Sequence, residues 1–95
     1  MKEIKGIINI CHKAGYLIIG GENILKHSQK MFLVLVDSTS GKSLLREMNY
    51  VANSRKIPLL QIEKLDEITS IANCKAVAIK NKPLSDEIIK LIKGE

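Results

Sequence analysis

Gly41-Lys42-Ser43 follows an apolar run and opens a helical pattern, the place a phosphate-binding loop would occupy. Such a loop needs a glycine five positions earlier to let the backbone wrap a phosphate, and that position is Val36, inside the apolar run. The fragment therefore reads as a helix start with a lysine on its wet side. Asp37, His12, His27 and several serines could be drawn together as a nucleophilic triad, but no serine stands in a nucleophile elbow and neither histidine has metal-ligand spacing around it. Both histidines read as surface residues. Cys11 and Cys74 lie far apart, with no CxxC and no paired histidines nearby, which points away from zinc and disulfides and toward a reducing compartment. No cofactor or metal is expected.

A more informative group follows Gly20-Gly21. At 100° per residue, Glu22, Asn23, Lys26, His27 and Lys30 fall within an arc of about 140° on a helix read over residues 22–30, with Ile24, Leu25 and Ser28 opposite. Such a face combines cations for phosphate with an amide and a carboxylate that can read base edges, behind a glycine-opened helix start that an anion can approach. The same pattern also describes a solvated face carrying a Glu22 to Lys26 pair.

Charge along the chain fits a polyanion partner and a solubilising lysine excess equally. The 95 residues carry 15 Lys and Arg against 10 Asp and Glu, a net charge of +5. Residues 1–30 hold a net +3, residues 31–60 a net +2, and residues 61–95 six charges of each sign. Nucleic acid would meet the first two thirds, although a solubilising excess of lysine explains the balance equally simply. A hydrophobic fraction of 45% excludes intrinsic disorder, and the length fits one domain spanning residues 1–95. No apolar run approaches the roughly 20 residues of a membrane span. The opening Met1-Lys2-Glu3-Ile4-Lys5 is charged and helical in period, unlike a signal peptide. The expected location is the cytoplasm.

The elements that position these residues alternate. Ile4, Ile7, Ile8, Cys11 and Ala14 form the stripe of a first helix ended by Gly15, with Cys11 as a small core hydrophobe. Tyr16 to Ile19 is β-prone. The continuous apolar run Phe32 to Val36 reads as the central strand, covered on both faces, with Phe32 buried in it. Asp37-Ser38-Thr39-Ser40 supplies N-caps for a third helix with the stripe Leu44, Leu45, Met48, Val51 and Ala52. Ile57 to Ile62 is a strand, with Pro58 tolerated near its start. Leu65, Ile68, Ile71 and Ala72 mark a fourth helix, Ala76 to Ile79 a fourth strand, Lys80 to Pro83 a turn, and Leu84, Ile88, Leu91 and Ile92 a last helix. The order α-β-α-β-α-β-α-β-α predicts an α/β fold, a four-stranded mixed sheet between helix layers, largely parallel where the crossovers are helical.

Aromatic residues restrict how nucleic acid could be held. Only Tyr16, Phe32 and Tyr50 are present, so sheet or barrel surfaces that stack bases in series are not expected, and recognition of a folded RNA by shape, phosphates and a few polar side chains remains open.

The stretch Lys13-Ala14-Gly15-Tyr16-Leu17-Ile18-Ile19-Gly20-Gly21-Glu22-Asn23-Ile24-Leu25-Lys26, followed by the strand at Phe32 to Val36, resembles the kink-turn RNA-binding ribosomal proteins. This is the superfamily of the archaeal large-subunit protein "seven Ae" and the eukaryotic "thirty e", with short bacterial YlxQ-type members. The resemblance implies a three-layer α/β/α sandwich without enzymatic activity that binds a sharply bent RNA, ribosomal or of another kink-turn kind, probing the exposed edges of sheared G·A pairs. It implies RNA contacts at Gly20, Gly21, Glu22, Asn23 and Lys26, with Lys30 continuing the basic face. The loop before the last strand, Ala72-Asn73-Cys74-Lys75, implies the other lip through Asn73, Cys74 and Lys75. The protein is expected to be a monomer.

The chain departs from the family pattern in three places. Glu22 precedes Asn23, where strong binders place Asn before Glu. Asp37-Ser38-Thr39 only partly matches an acidic pair, and residues 72–75 are short and polar where aliphatic residues pack on RNA. The alternative reading is a protein-interaction module that shares only the fold.

Overall fold

The computed structural model describes residues 2–94; Met1 and Glu95, the ends of the expected domain, lie outside them. Helices and strands alternate as α1 (Lys2–Lys13), β1 (Leu17–Ile19), α2 (Gly21–Lys26), β2 (Leu33–Asp37), α3 (Lys42–Arg55), β3 (Leu59–Ile62), α4 (Leu65–Thr69), β4 (Ala76–Ile79) and α5 (Lys82–Lys93).

The strands lie in the order β1-β4-β2-β3. β2 and β3 pair in parallel, joined by the α3 crossover, whereas β4 runs antiparallel to both its neighbours, β1 and β2. The expected mixed sheet is therefore present, but it is not largely parallel. The reason lies in the β3–β4 connection. α4 is only five residues long and is bounded by left-handed residues at Lys64 and Ser70, so it keeps the chain at the end of the sheet where β3 finished. β4 then has to run back in the opposite direction. Ile71 and Ala72, read as helical, follow the left-handed Ser70 and lie outside α4.

Alternation along the two interior strands divides the core. Leu33, Leu35, Val77 and Ile79 face the layer of α1, α4 and α5, packing with Ile4, Ile8, Cys11, Leu65, Ile68 and Ile88. Val34, Val36, Ala76 and Ala78 face α2 and α3, packing with Ile24, Met31, Met48 and Val51. This is the three-layer α/β/α sandwich. Each fully buried aliphatic side chain stabilises it by about 1.5–3 kcal/mol relative to exposure.

Helix ends follow local chemistry. α1 closes in a Schellman arrangement: Gly15 has φ 79°, and Tyr16 N–H donates to the Cys11 carbonyl at 2.8 Å while Gly15 N–H donates to His12 at 3.2 Å. Ala14 is thereby left exposed beyond the stripe. α5 begins at Lys82, inside the stretch Lys80 to Pro83 expected as a turn. Asn81 caps it by accepting from Leu84 N–H at 2.9 Å, and Pro83 sits in the first turn, where its missing N–H costs nothing. α3 is capped differently from the expectation: its N-cap is Gly41, without a side-chain bond, and Asp37 serves elsewhere.

Candidate functional site

Three chain segments meet at the end of the sheet where β2 finishes. Gly20 N–H donates to the Ala76 carbonyl at 2.9 Å, and Asp37 N–H donates to the Lys75 carbonyl at 2.8 Å. The segment entering β4 is thus held between the start of α2 on one side and the turn after β2 on the other. Lys75 Nζ reaches Thr39 Oγ1 at 3.3 Å across the second of these junctions.

Asp37 stabilises the turn. Its side chain is 3% exposed, and one carboxylate oxygen accepts from the Thr39 N–H at 2.8 Å and the Thr39 hydroxyl at 2.6 Å. The other oxygen accepts from Leu65 N–H at 3.0 Å, which ties the start of α4 to the same place. These bonds, the Thr39 hydroxyl first, hold the Asp37 carboxyl below its usual range against the opposing effect of burial. The residue read as a helix cap is a clamp that joins β2, its following turn and α4. An Asp two residues before a Thr is a recognisable turn signal, but the bond to Leu65 has no local signature.

The two glycines have separate structural reasons. Gly20 has φ 94° and ψ 139°, a conformation that excludes side chains with a Cβ. At Gly21 a Cβ would stand 2.6 Å from Leu44 Cδ1, so this glycine allows α2 to pack against the first turns of α3. Its absent side chain makes room for a protein neighbour.

Glu22, Asn23 and Lys26 are exposed on α2 as expected. Lys26 Nζ stands 3.0 Å from Glu22 Oε1. Being solvent-exposed and one turn apart, this pair contributes only about 0.3–0.5 kcal/mol, so it holds the Lys26 ammonium only weakly. Asn23 Nδ2 donates to the Ile19 carbonyl at 2.8 Å, which fixes the amide beside the end of β1. Asn73, exposed and left-handed at φ 59°, and the exposed Lys75 lie on the segment that enters β4.

Two expected site residues are placed elsewhere. Cys74 is 4% exposed, belongs to the core against α1, α4 and α5, and directs its thiol toward the Ala76 carbonyl. Burial raises its pKa, as it does for Cys11, and both behave as core side chains. Lys30 leaves the α2 face because the helix stops at Lys26: His27 adopts an extended conformation, and the Arg55 guanidinium bonds to the carbonyls of His27 and Gln29. Lys30 lies instead near the start of β2, with its Nζ 5.5 Å from the centroid of the Phe32 ring. His27 is half-buried, and burial, then the charges of Lys80 and Arg55, lower its pKa. Among the described residues, no three His, Cys, Asp or Glu side chains form a metal-binding group.

No family model matches the chain, and no curated protein matches it. Solved structures share its fold. A protein of unknown function from Bacillus halodurans is 19% identical, with a TM-score of 0.85 over 95% of this chain and 96% of that one. The Giardia lamblia 15.5kD RNA binding protein is 13% identical, with a TM-score of 0.77 over 97% of this chain and 86% of its own. At these identities the likeness establishes a common α/β architecture.

Proposed function

We propose that this chain is an RNA-binding module, not an enzyme, and that it takes a structured RNA of the kink-turn kind at the sheet end formed by residues 20–26, 37–39 and 73–75. The observation that carries the reading is the junction itself: hydrogen bonds from Gly20 and Asp37 to the segment entering β4 bring the polar start of α2 alongside Lys75 and Thr39. The shared fold with an RNA-binding protein from Giardia supports it.

The chemistry divides by residue. Lys26 and Lys75 are exposed cations for phosphate, and both hold only weak partners in the free protein. Glu22 and Asn23 offer a carboxylate and an oriented amide to base edges, the groups suited to reading purine and cytosine functions. Gly20 and Gly21 act indirectly, by allowing the turn and the α2–α3 packing that present these side chains. In this reading the protein acts as a cytoplasmic monomer within a ribonucleoprotein, the ribosome being one candidate setting.

The test is a salt-dependent titration against a kink-turn RNA and the same RNA lacking its tandem G·A pairs. Lys26→Ala should weaken binding to both and make the log affinity against log salt plot shallower by about 0.9 for the lost phosphate contact. Glu22→Gln and Asn23→Asp should instead alter the ratio between the two RNAs. Variants that bind both RNAs like the parent would remove the assignment of this surface, and a stable cellular complex that survives nuclease would favour a protein partner.

A further inference from the structure

The opposite end of the sheet carries a groove that the kink-turn reading does not use. β2 separates the two ends, which puts them roughly 15–20 Å apart at about 3.3 Å per residue. The groove has a volume of about 430 Å³ and is lined by Lys30, Phe32, Arg55, Lys56 and Lys82, with Asp86, Ile57 and Pro58 completing it. Its one acid is already engaged: Asp86 Oδ2 stands 2.8 Å from Lys82 Nζ.

These cations come from three separate parts of the fold. Lys30 precedes β2, Arg55 and Lys56 end α3, and Lys82 opens α5. Arg55 is fixed by its bonds to the backbone carbonyls of His27 and Gln29, whereas Lys30, Lys56 and Lys82 have exposed side chains. Phe32 is not buried in the strand as its sequence context suggests. It lies just before β2, half-buried, with Lys30 over its ring. Three exposed cations around one aromatic platform, of which Lys82 shares its charge with the likewise exposed Asp86, match a nucleic-acid strand better than an acidic peptide, because only the former supplies a flat base together with regularly spaced phosphates.

We propose that this groove is a second RNA-binding surface, which takes a single-stranded segment with its phosphates on Lys30, Lys56 and Lys82 and one unstacked base on Phe32. On binding, Lys30 moves from the ring to a phosphate and leaves the ring face to the base. With a structured RNA at the other end, the protein then holds two segments at fixed separation. This surface does not depend on the kink-turn reading.

Fluorescence anisotropy with a labelled uridylate decamer tests it on the full chain. The Lys30→Ala, Lys56→Ala, Lys82→Ala triple variant should bind at least about 10-fold more weakly, with a salt slope shallower by about 2, from roughly 0.7 per lost phosphate contact on a single strand. Phe32→Leu should weaken binding about 5-fold or more with the slope unchanged, and Phe32→Tyr should restore it, which separates stacking from misfolding. Kink-turn RNA affinity, measured on the same proteins, should change less than about 3-fold in the triple variant. The proposal is overturned if the parent does not bind the decamer, if the triple variant binds it like the parent, or if Phe32→Leu has no effect. Displacement of the decamer by polyglutamate at equal charge concentration would also overturn it, in favour of an acidic protein partner. Loss of kink-turn selectivity with decamer binding intact would remove the first reading and leave this one standing.

Discussion

Asp37 shows how one buried carboxylate sets the geometry of a surface. It accepts three hydrogen bonds while 3% exposed, so its charged form is stabilised in the folded protein and its pKa is lowered. The folded value lies below the unfolded one of about 3.9, so the associated stability is fully present above that pH and is lost as pH falls through the folded value. The stability of the parent against urea should therefore fall as the pH is taken below about 4. Asp37→Asn should be less stable at neutral pH by about 1–3 kcal/mol, since it leaves a buried donor without a good acceptor, and its pH profile should be flatter through the acid range. Parallel profiles for parent and variant would show that the carboxylate is not the group responsible. Asp37-Ser38-Thr39 reads in sequence as a source of helix N-caps, because the partner that makes Asp37 a clamp, Leu65, is 28 residues away.

Among the elements, the end of α3 is the most informative. Lys56 has φ 55°, its N–H donates to the Asn53 carbonyl at 3.3 Å, and Ile57 N–H donates to Ala52 at 3.0 Å. This is the same Schellman closure that Gly15 makes after α1, with lysine in the position that favours glycine. Lys56→Gly should raise stability by about 0.5–1 kcal/mol in urea unfolding by removing the cost of the left-handed conformation, while weakening decamer binding through the loss of a groove cation. A variant that lost both properties would contradict this account. The opposite limit of local reasoning appears in α2. Polar residues after Lys26 continue a 100° pattern as well as those before it, so periodicity extends the helix to Lys30. What ends it is Arg55, reaching from α3 to the carbonyls of His27 and Gln29. A six-residue helix has too few internal bonds to hold its own length, so its tertiary partners decide where it stops.

At the scale of the molecule, the proposed RNA binding would couple to stability. A kink-turn RNA present at about 100 times its Kd should stabilise the protein by about 2.7 kcal/mol, which for a chain of this size raises Tm by roughly 10–20 °C. The RNA without G·A pairs, at the same concentration and salt, should give a clearly smaller rise if the junction at residues 20–26 and 73–75 discriminates between them. Equal shifts would mean that the phosphates alone are being read. No helix among the described residues is long and apolar enough to cross a membrane.

By itself the sequence determined the kinds and order of the elements, because hydrophobic periodicity and turn residues act over a few neighbours. The stripes of α1, α3 and α5, the doubly covered strand β2 and the existence of the strand β4 were legible in this way. It also determined the excess of positive charge and the polar start of α2. Only the tertiary structure decided that β4 lies between β1 and β2, and this placement brings Gly20, Thr39 and Lys75 together. It also turned Cys74 into the core and carried Lys30 to the far end of the sheet. The physical reason is common to all of these. Strand pairing is a choice among backbone edges that present the same donors and acceptors, and it is settled by how the two helix layers bury the sheet as a whole.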